Sequence, residues 1–323
     1  MKNNKNIFMY SGIMHSIEND SMQPLITKVP DPQLKTSKEP SRWYKVIEKD
    51  NEKELNIGVV VEDFRAGFYY SFIFMLGVSF TLTKCFTDVD HTGIIKSVFG
   101  ASNICTYFDF APSTYIIPCL WVFVMMFGIT YDLMSIFRVW IAKEEGKMSR
   151  KALILLVASH IYYIVTLILF SLIFAVSPDR EHPETMTVHT IPYINLKVAL
   201  CILQLAVVWF GVKVGWVDLE LPKMFVVLSW LHVVLQFIVM MISNVMIINA
   251  LGDTGKAKLE GKGLWWDVHD EKQIIVLDWL ANYLSFILNI LLPLIQSQYL
   301  SSRGFRSHAL IISIGDNKDA KIK

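Results

Sequence analysis

The chain has 323 residues, of which 53% are hydrophobic and 18% charged. Soluble domains carry about 25% charged residues, so this deficit, with a mean hydropathy of +0.42, argues for several membrane spans and against a soluble globular domain. The net charge of +1 excludes a chain-wide electrostatic match to nucleic acid, and four cysteines are too few for a disulfide scaffold.

Residues 1–65 are polar and mixed in charge, with prolines at Pro24, Pro30, Pro32 and Pro40. Such a composition does not build a core, and this tail is expected to be largely disordered. Its first twenty residues show no apolar h-region and no small-residue cleavage site, so no cleaved signal peptide is expected and the first crossing should act as the targeting signal. Tyr44-Lys45-Val46-Ile47 has the form of a receptor-read sorting signal, a four-residue pattern that also arises readily by chance. Asn19-Asp20-Ser21 is the one glycosylation sequon.

Six apolar runs follow: 66–82, 115–140, 152–176, 198–214, 224–251 and 274–295. Each approaches the roughly 20 residues a helix needs to cross a bilayer, and a helix satisfies its own backbone in lipid. None alternates with period two, which argues against a β-barrel. The expected fold is therefore all-α, a polytopic bundle of six transmembrane helices over 66–300, followed by a C-terminal tail over 301–323.

An even number of crossings puts both tails on one side. Of the 30 lysines and arginines, 22 fall on the side of the two tails and the connections after the second and fourth spans, and 8 fall opposite. The local evidence is strongest in the short turn KEEGKMSRK at 143–151. Both termini are thus expected to be cytosolic. The loops 83–114, 177–197 and 252–273 then face the lumen or the outside. Cys85 and Cys105 share the first of them, where compartment permits a disulfide, and two free thiols are an equal alternative.

Motifs for chemistry are sparse. There is no HExxH or CxxC zinc pattern, no GxSxG nucleophile elbow and no glycine-rich phosphate loop. His182 and His189 share a stretch with Glu181 and Glu184, which an exposed polar loop explains more simply than a metal site. No cofactor and no metal are expected. Enzymatic activity is not the expectation, although an intramembrane lipid-modifying enzyme can assemble its site from distant helices.

The most informative residues lie within the spans. Asp132 precedes Trp140 by eight residues, His160 follows Ala152 by eight, and His232 follows Met224 by eight. At 1.5 Å per residue all three sit about 12 Å inside the cytosolic edge. Ionisable groups at that depth are costly, so they face the bundle interior and are paired. The readings are a structural hydrogen-bonded knot, a proton or ion relay, a lipid-headgroup site, or haem ligation by His160 and His232. The short turn between the second and third spans predicts that Asp132 and His160 meet. Asp278, in the first turn of the last span, suits a helix N-terminus.

Leu264-Trp265-Trp266-Asp267-Val268-His269-Asp270-Glu271-Lys272, Asp278-Trp279, Val188-His189, and Asp90-His91-Thr92-Gly93 with Phe99-Gly100 complete the pattern. On these residues the chain resembles the DRAM/Frag/Sfk family of six-span membrane proteins, which includes damage-regulated autophagy modulators and relatives in GPI-anchor lipid remodelling. The double proline and glutamate that the family carries after its Thr-Gly are missing here. The resemblance implies a non-enzymatic endomembrane protein of the lysosome, Golgi or ER that organises lipid or membrane traffic, with membrane lipids and other membrane or trafficking proteins as partners. A redox or transport protein using the intramembrane Asp/His cluster is the competing expectation.

Overall fold

The computed structural model describes residues 6–11, 45–48, 55–87, 107–176, 183–216, 221–259, 276, 279–303 and 309–315. Six helices in it are long and apolar enough to cross a membrane. We number them α1 (Val61–Phe86), α2 (Ser113–Glu144), α3 (Arg150–Ala175), α4 (Thr187–Val214), α5 (Lys223–Asn249) and α6 (Trp279–Ser302). The membrane region is all-α, and the chain is an integral membrane protein with multiple spans. α4 and α6 are the most enclosed, while α2, α3 and α5 turn most of their length outward. Their outward residues are what lipid accepts: Ile154, Leu155, Ile161 and Ile168 on α3, and Val227, Leu231, Val234 and Ile238 on α5.

Each helix starts and stops for a local reason. α2 ends in a turn in which Gly146 adopts φ 74°, a conformation that costs glycine nothing. Ser149 then caps α3 by accepting a hydrogen bond from the Ala152 amide at 3.3 Å. That tight turn makes α2 and α3 antiparallel neighbours. α1 packs against α2 through small residues. A methyl group added at Gly67 would lie 2.8 Å from the Phe127 ring, and one at Gly128 would lie 2.7 Å from Leu167 Cδ1. In lipid, helix association relies on this kind of close approach, because burying a leucine away from acyl chains gains little. Aromatic rings fill the space between α1, α2 and α3: Phe72 lies edge-on to Trp121, and Trp121 packs on Phe170 at 4.7 Å between centroids.

α6 departs from regular geometry. It holds two π-helical stretches, Trp279–Leu284 and Ile287–Leu291. Pro293 accounts for the second. It has no N–H to donate and crowds the carbonyl four residues before it, so the preceding turn widens. The Leu292 amide accordingly bonds back to the Ile287 carbonyl.

Two expectations are revised. α1 begins at Val61, five residues before the apolar run, which brings Glu62 and Arg65 into the helix. The N-terminal tail also holds strands β1 (Asn6–Ser11), β2 (Lys45–Glu48) and β3 (Leu55–Val60), which join β4 (Ala309–Gly315) of the C-terminal tail in an antiparallel sheet of order β1-β4-β3-β2. Short β-branched runs such as Ile311-Ile312 and Val59-Val60 supply the strand propensity. β3 leads straight into α1, so the pairing of Leu55–Val60 with Ala309–Ile314 brings the two tails to one end of the bundle.

Cys85 is exposed near the end of α1 and forms no disulfide among the described residues. Cys105, the sequon at Asn19, Tyr44, Glu181, His182, the segment 90–100, the loop 264–272 and Asp278 all lie outside those residues.

Candidate functional site: a buried polar network

Asp132 and His160 meet. His160 Nδ1 lies 2.6 Å from Asp132 Oδ1, and Asp132 is 0% exposed. The Tyr131 ring lies edge-on to the imidazole, 6.3 Å away. The second carboxylate oxygen, Asp132 Oδ2, is buried with no hydrogen-bond partner among the described residues. The arrangement follows from the α2–α3 turn, which sets the two helices antiparallel and the two residues at matching depth.

His232 is not part of this pair. Its Nε2 lies 2.7 Å from the Leu288 carbonyl oxygen. In the π register of α6 that carbonyl would accept from residue 293, which is a proline. The histidine therefore donates to an oxygen that Pro293 leaves without a donor. A carbonyl only accepts, so Nε2 carries the proton. This geometry does not suit the haem reading at His232, which spends its Nε2 on the backbone, whereas a carboxylate on the Nδ1 of His160 is how ligating histidines are commonly oriented. No group of three or more His, Cys, Asp or Glu able to hold a metal occurs among the described residues.

The largest polar feature is one that the apolar pattern hid. Arg65 is 2% exposed. Its guanidinium donates to Gln204 Oε1 at 2.5 Å, to Gln296 Oε1 at 2.9 Å and to Glu62 Oε2 at 3.4 Å. Glu62 also faces Arg138 at 3.6 Å. Gln204 donates to Gln296 at 2.8 Å, and Gln296 donates to Ser229 at 3.0 Å. These bonds tie α1, α2, α4, α5 and α6 together. Arg65 also acts electrostatically on Asp132, Tyr69 and Tyr131, which couples the network to the Asp132–His160 pair. Ser301 donates to Asp63 beside it, closing α6 onto the start of α1.

Arg65 reads in the sequence as the last charge of a cytosolic tail, and Lys197 as a lumenal loop charge. Both are buried inside the bundle. Lys197 donates to Ser243 Oγ at 2.6 Å and stands 5.1 Å from the Tyr193 ring centre. His189 is likewise buried within α4 rather than in a loop, with Nδ1 2.9 Å from the Val176 carbonyl oxygen. A glutamate at 62, an arginine at 65 and glutamines at 204 and 296 were the available signal. Glu62, Arg65 and Gln296 stand at the edges of apolar runs, where loop residues are ordinarily expected, while Gln204 lies inside the fourth run.

What the network can do chemically is limited by charge. Within this network Arg65 and Arg138 are balanced by Glu62 and Asp132 while His160 is neutral. One proton on the Asp132–His160 pair changes that balance by one unit. Comparisons with family models, with curated proteins and with solved structures find no match. What is established is an integral, multi-pass membrane protein with a charged network buried between its six spans.

Proposed function

We propose that this membrane protein relays or transports protons, with the Asp132–His160 pair as the group that takes up and releases the proton. The observation that carries this reading is Asp132 itself: one oxygen on His160 at 2.6 Å and the other buried without a partner. Buried polar atoms in folded proteins are almost all paired, and an unpaired one calls for a reason, of which a catalytic or proton-handling role is one. Ionisable residues inside a span mark such tasks in proton relays and transporters. Purified protein reconstituted into vesicles carrying a pH-sensitive dye tests it. An imposed pH gradient should collapse faster than in empty vesicles, and Asp132→Asn or His160→Gln should remove the difference. Vesicles as tight as empty ones would refute it.

One observation favours a second reading, a non-enzymatic organiser of lipid or membrane traffic of the autophagy or lysosomal kind. The Glu62–Arg65–Arg138 cluster shares one carboxylate between two guanidiniums and is bonded to several helices, as a fixed scaffold would be. In that case the partners are membrane lipids and trafficking proteins, and the compartment is lysosome, Golgi or ER. In either reading both termini face the cytosol, as the 143–151 turn argues. A glycosylation site introduced at 177–182, ahead of α4, should be modified and one near Gly146 should not. The reverse pattern would invert the orientation.

A further inference from the structure

A second polar region crosses the bundle between α4, α5 and α6. It starts where Gln296 donates to Ser229. Two turns further along α5, Gln236 donates to Asn289 Oδ1 at 2.7 Å, and Asn289 donates to the Ser285 carbonyl at 2.8 Å. Two more turns bring Ser243, which holds Lys197. From Ser229 to Ser243 the polar positions span fourteen residues, roughly 21 Å at 1.5 Å per residue. That covers most of a hydrocarbon core of about 30 Å.

The direction of the hydrogen bonds is fixed by the backbone. The Ser285 carbonyl can only accept, so Asn289 must present its NH2 there and its oxygen to Gln236. Gln236 must then donate to Asn289, and its own oxygen is left over. That oxygen is buried and has no partner among the described residues. The same holds for Asn244 Oδ1, for His189 Nε2 and for Asp132 Oδ2. Among the described residues Arg65 Nε and the hydroxyls of Ser135 and Ser297 are the groups with a proton to donate in the same position. The interior is thus rich in acceptors that lack a proton donor, at several depths and not at one site.

We propose that protons cross the bundle along this α4–α5–α6 seam, between the Asp132–His160 pair at one end and Lys197 at the other. This rests on the proton reading above and adds the route and its far-end site. One proton enters at one end for each that leaves at the other, so no group is altered and no co-reactant is required. The amides orient the path. Asp132, His160, His232 and Lys197 are the groups able to hold the proton in passing. Arg65, Glu62, Tyr69, Tyr131 and Tyr163 surround the first end. His189 and Tyr193 flank Lys197 along α4.

The test uses the full chain in dye-loaded vesicles with three seam variants, Ser243→Ala, Gln236→Leu and Lys197→Met. Each should slow proton flux at least tenfold, and the lipid-facing control Val234→Ala should leave it unchanged. Ser243→Ala removes one hydroxyl and keeps the proposal falsifiable if a larger change unfolds the protein. Flux abolished by Asp132→Asn but untouched by Ser243→Ala and Lys197→Met would overturn the route while leaving the proton reading standing. Absence of flux in the unaltered protein would overturn both.

Discussion

The two halves of the bundle interior hold their polar groups in different ways. At the end where the tails meet, side chains on separate helices bond to one another: Arg65 to Gln204, Gln296 and Glu62, and Asp132 to His160. Along α6, side chains bond instead to carbonyls of its widened backbone: His232 to Leu288, Tyr193 to Ala281 and Ser285 to Leu280. The first arrangement places charge and fails as a unit when one member is lost. The second repairs backbone that a proline and two π stretches leave unpaired, and each bond can be lost alone. Charge therefore sets the energetics of one half, and backbone geometry sets those of the other.

The sharpest way to break this contrast is at Arg65. Arg65→Leu leaves Glu62 with Arg138 alone and orphans the Gln204 oxygen, while Gln296 Oε1 keeps the Gln204 amide, and removing one partner of a buried ion pair costs about 3–5 kcal/mol. Thermal melting in detergent should show the largest loss of any single change in the bundle. A loss no larger than that of an interhelical amide would place Arg65 outside the network's centre. Next comes the α2–α3 pair. Asp132→Leu strands the His160 Nδ1 in the core, at about 1–3 kcal/mol. Asp132→Asn with His160→Gln keeps a neutral hydrogen bond, so the double variant should melt higher than the single leucine. Close packing around that pair is tested at Gly128, where the added methyl meets Leu167 at 2.7 Å. Gly128→Ala should cost about 1–3 kcal/mol, and trimming Leu167 to alanine in the same chain should recover part of it.

The backbone-repair half should yield smaller numbers. Interhelical hydrogen bonds in a bilayer average about 0.6 kcal/mol, so His232→Phe should cost about that. Pro293→Ala restores the missing donor, and the His232 effect should shrink in that background. An undiminished effect would separate His232 from Pro293. Asp109 gives a prediction of a different kind, in pH. It is partly buried just before α2, and desolvation pushes its carboxyl up to about 7. The unfolded carboxyl titrates near 3.9, so the folded state binds the extra proton between those values. Stability contributed there is greatest at low pH and falls as pH rises from about 4 through about 7, then levels off. Asp109→Asn should flatten that part of the melting profile.

The same contrast explains what could be read from the chain. Apolar runs locate all six spans, because lipid imposes a length and a composition on each. The Asp132–His160 contact was legible because a short turn between two spans fixes their register. Arg65 and Lys197 were not, since each stands where a run begins and a charge there normally belongs to water. What pulls them inward is partners on other helices, Gln204 and Gln296 for one and Ser243 for the other, and no local pattern records that. His232 was visible as an ionisable residue but its task was not, because the reason for it, Pro293, lies 61 positions away on a different helix.

The most direct test of the account is infrared difference spectroscopy on the protein in bilayers while the pH is stepped. The account predicts a carboxylic-acid carbonyl band that appears and disappears with pH, that Asp132→Asn removes, and that His160→Gln shifts. A spectrum in which no carboxyl band responds to pH, or in which the responding band survives Asp132→Asn, would contradict it.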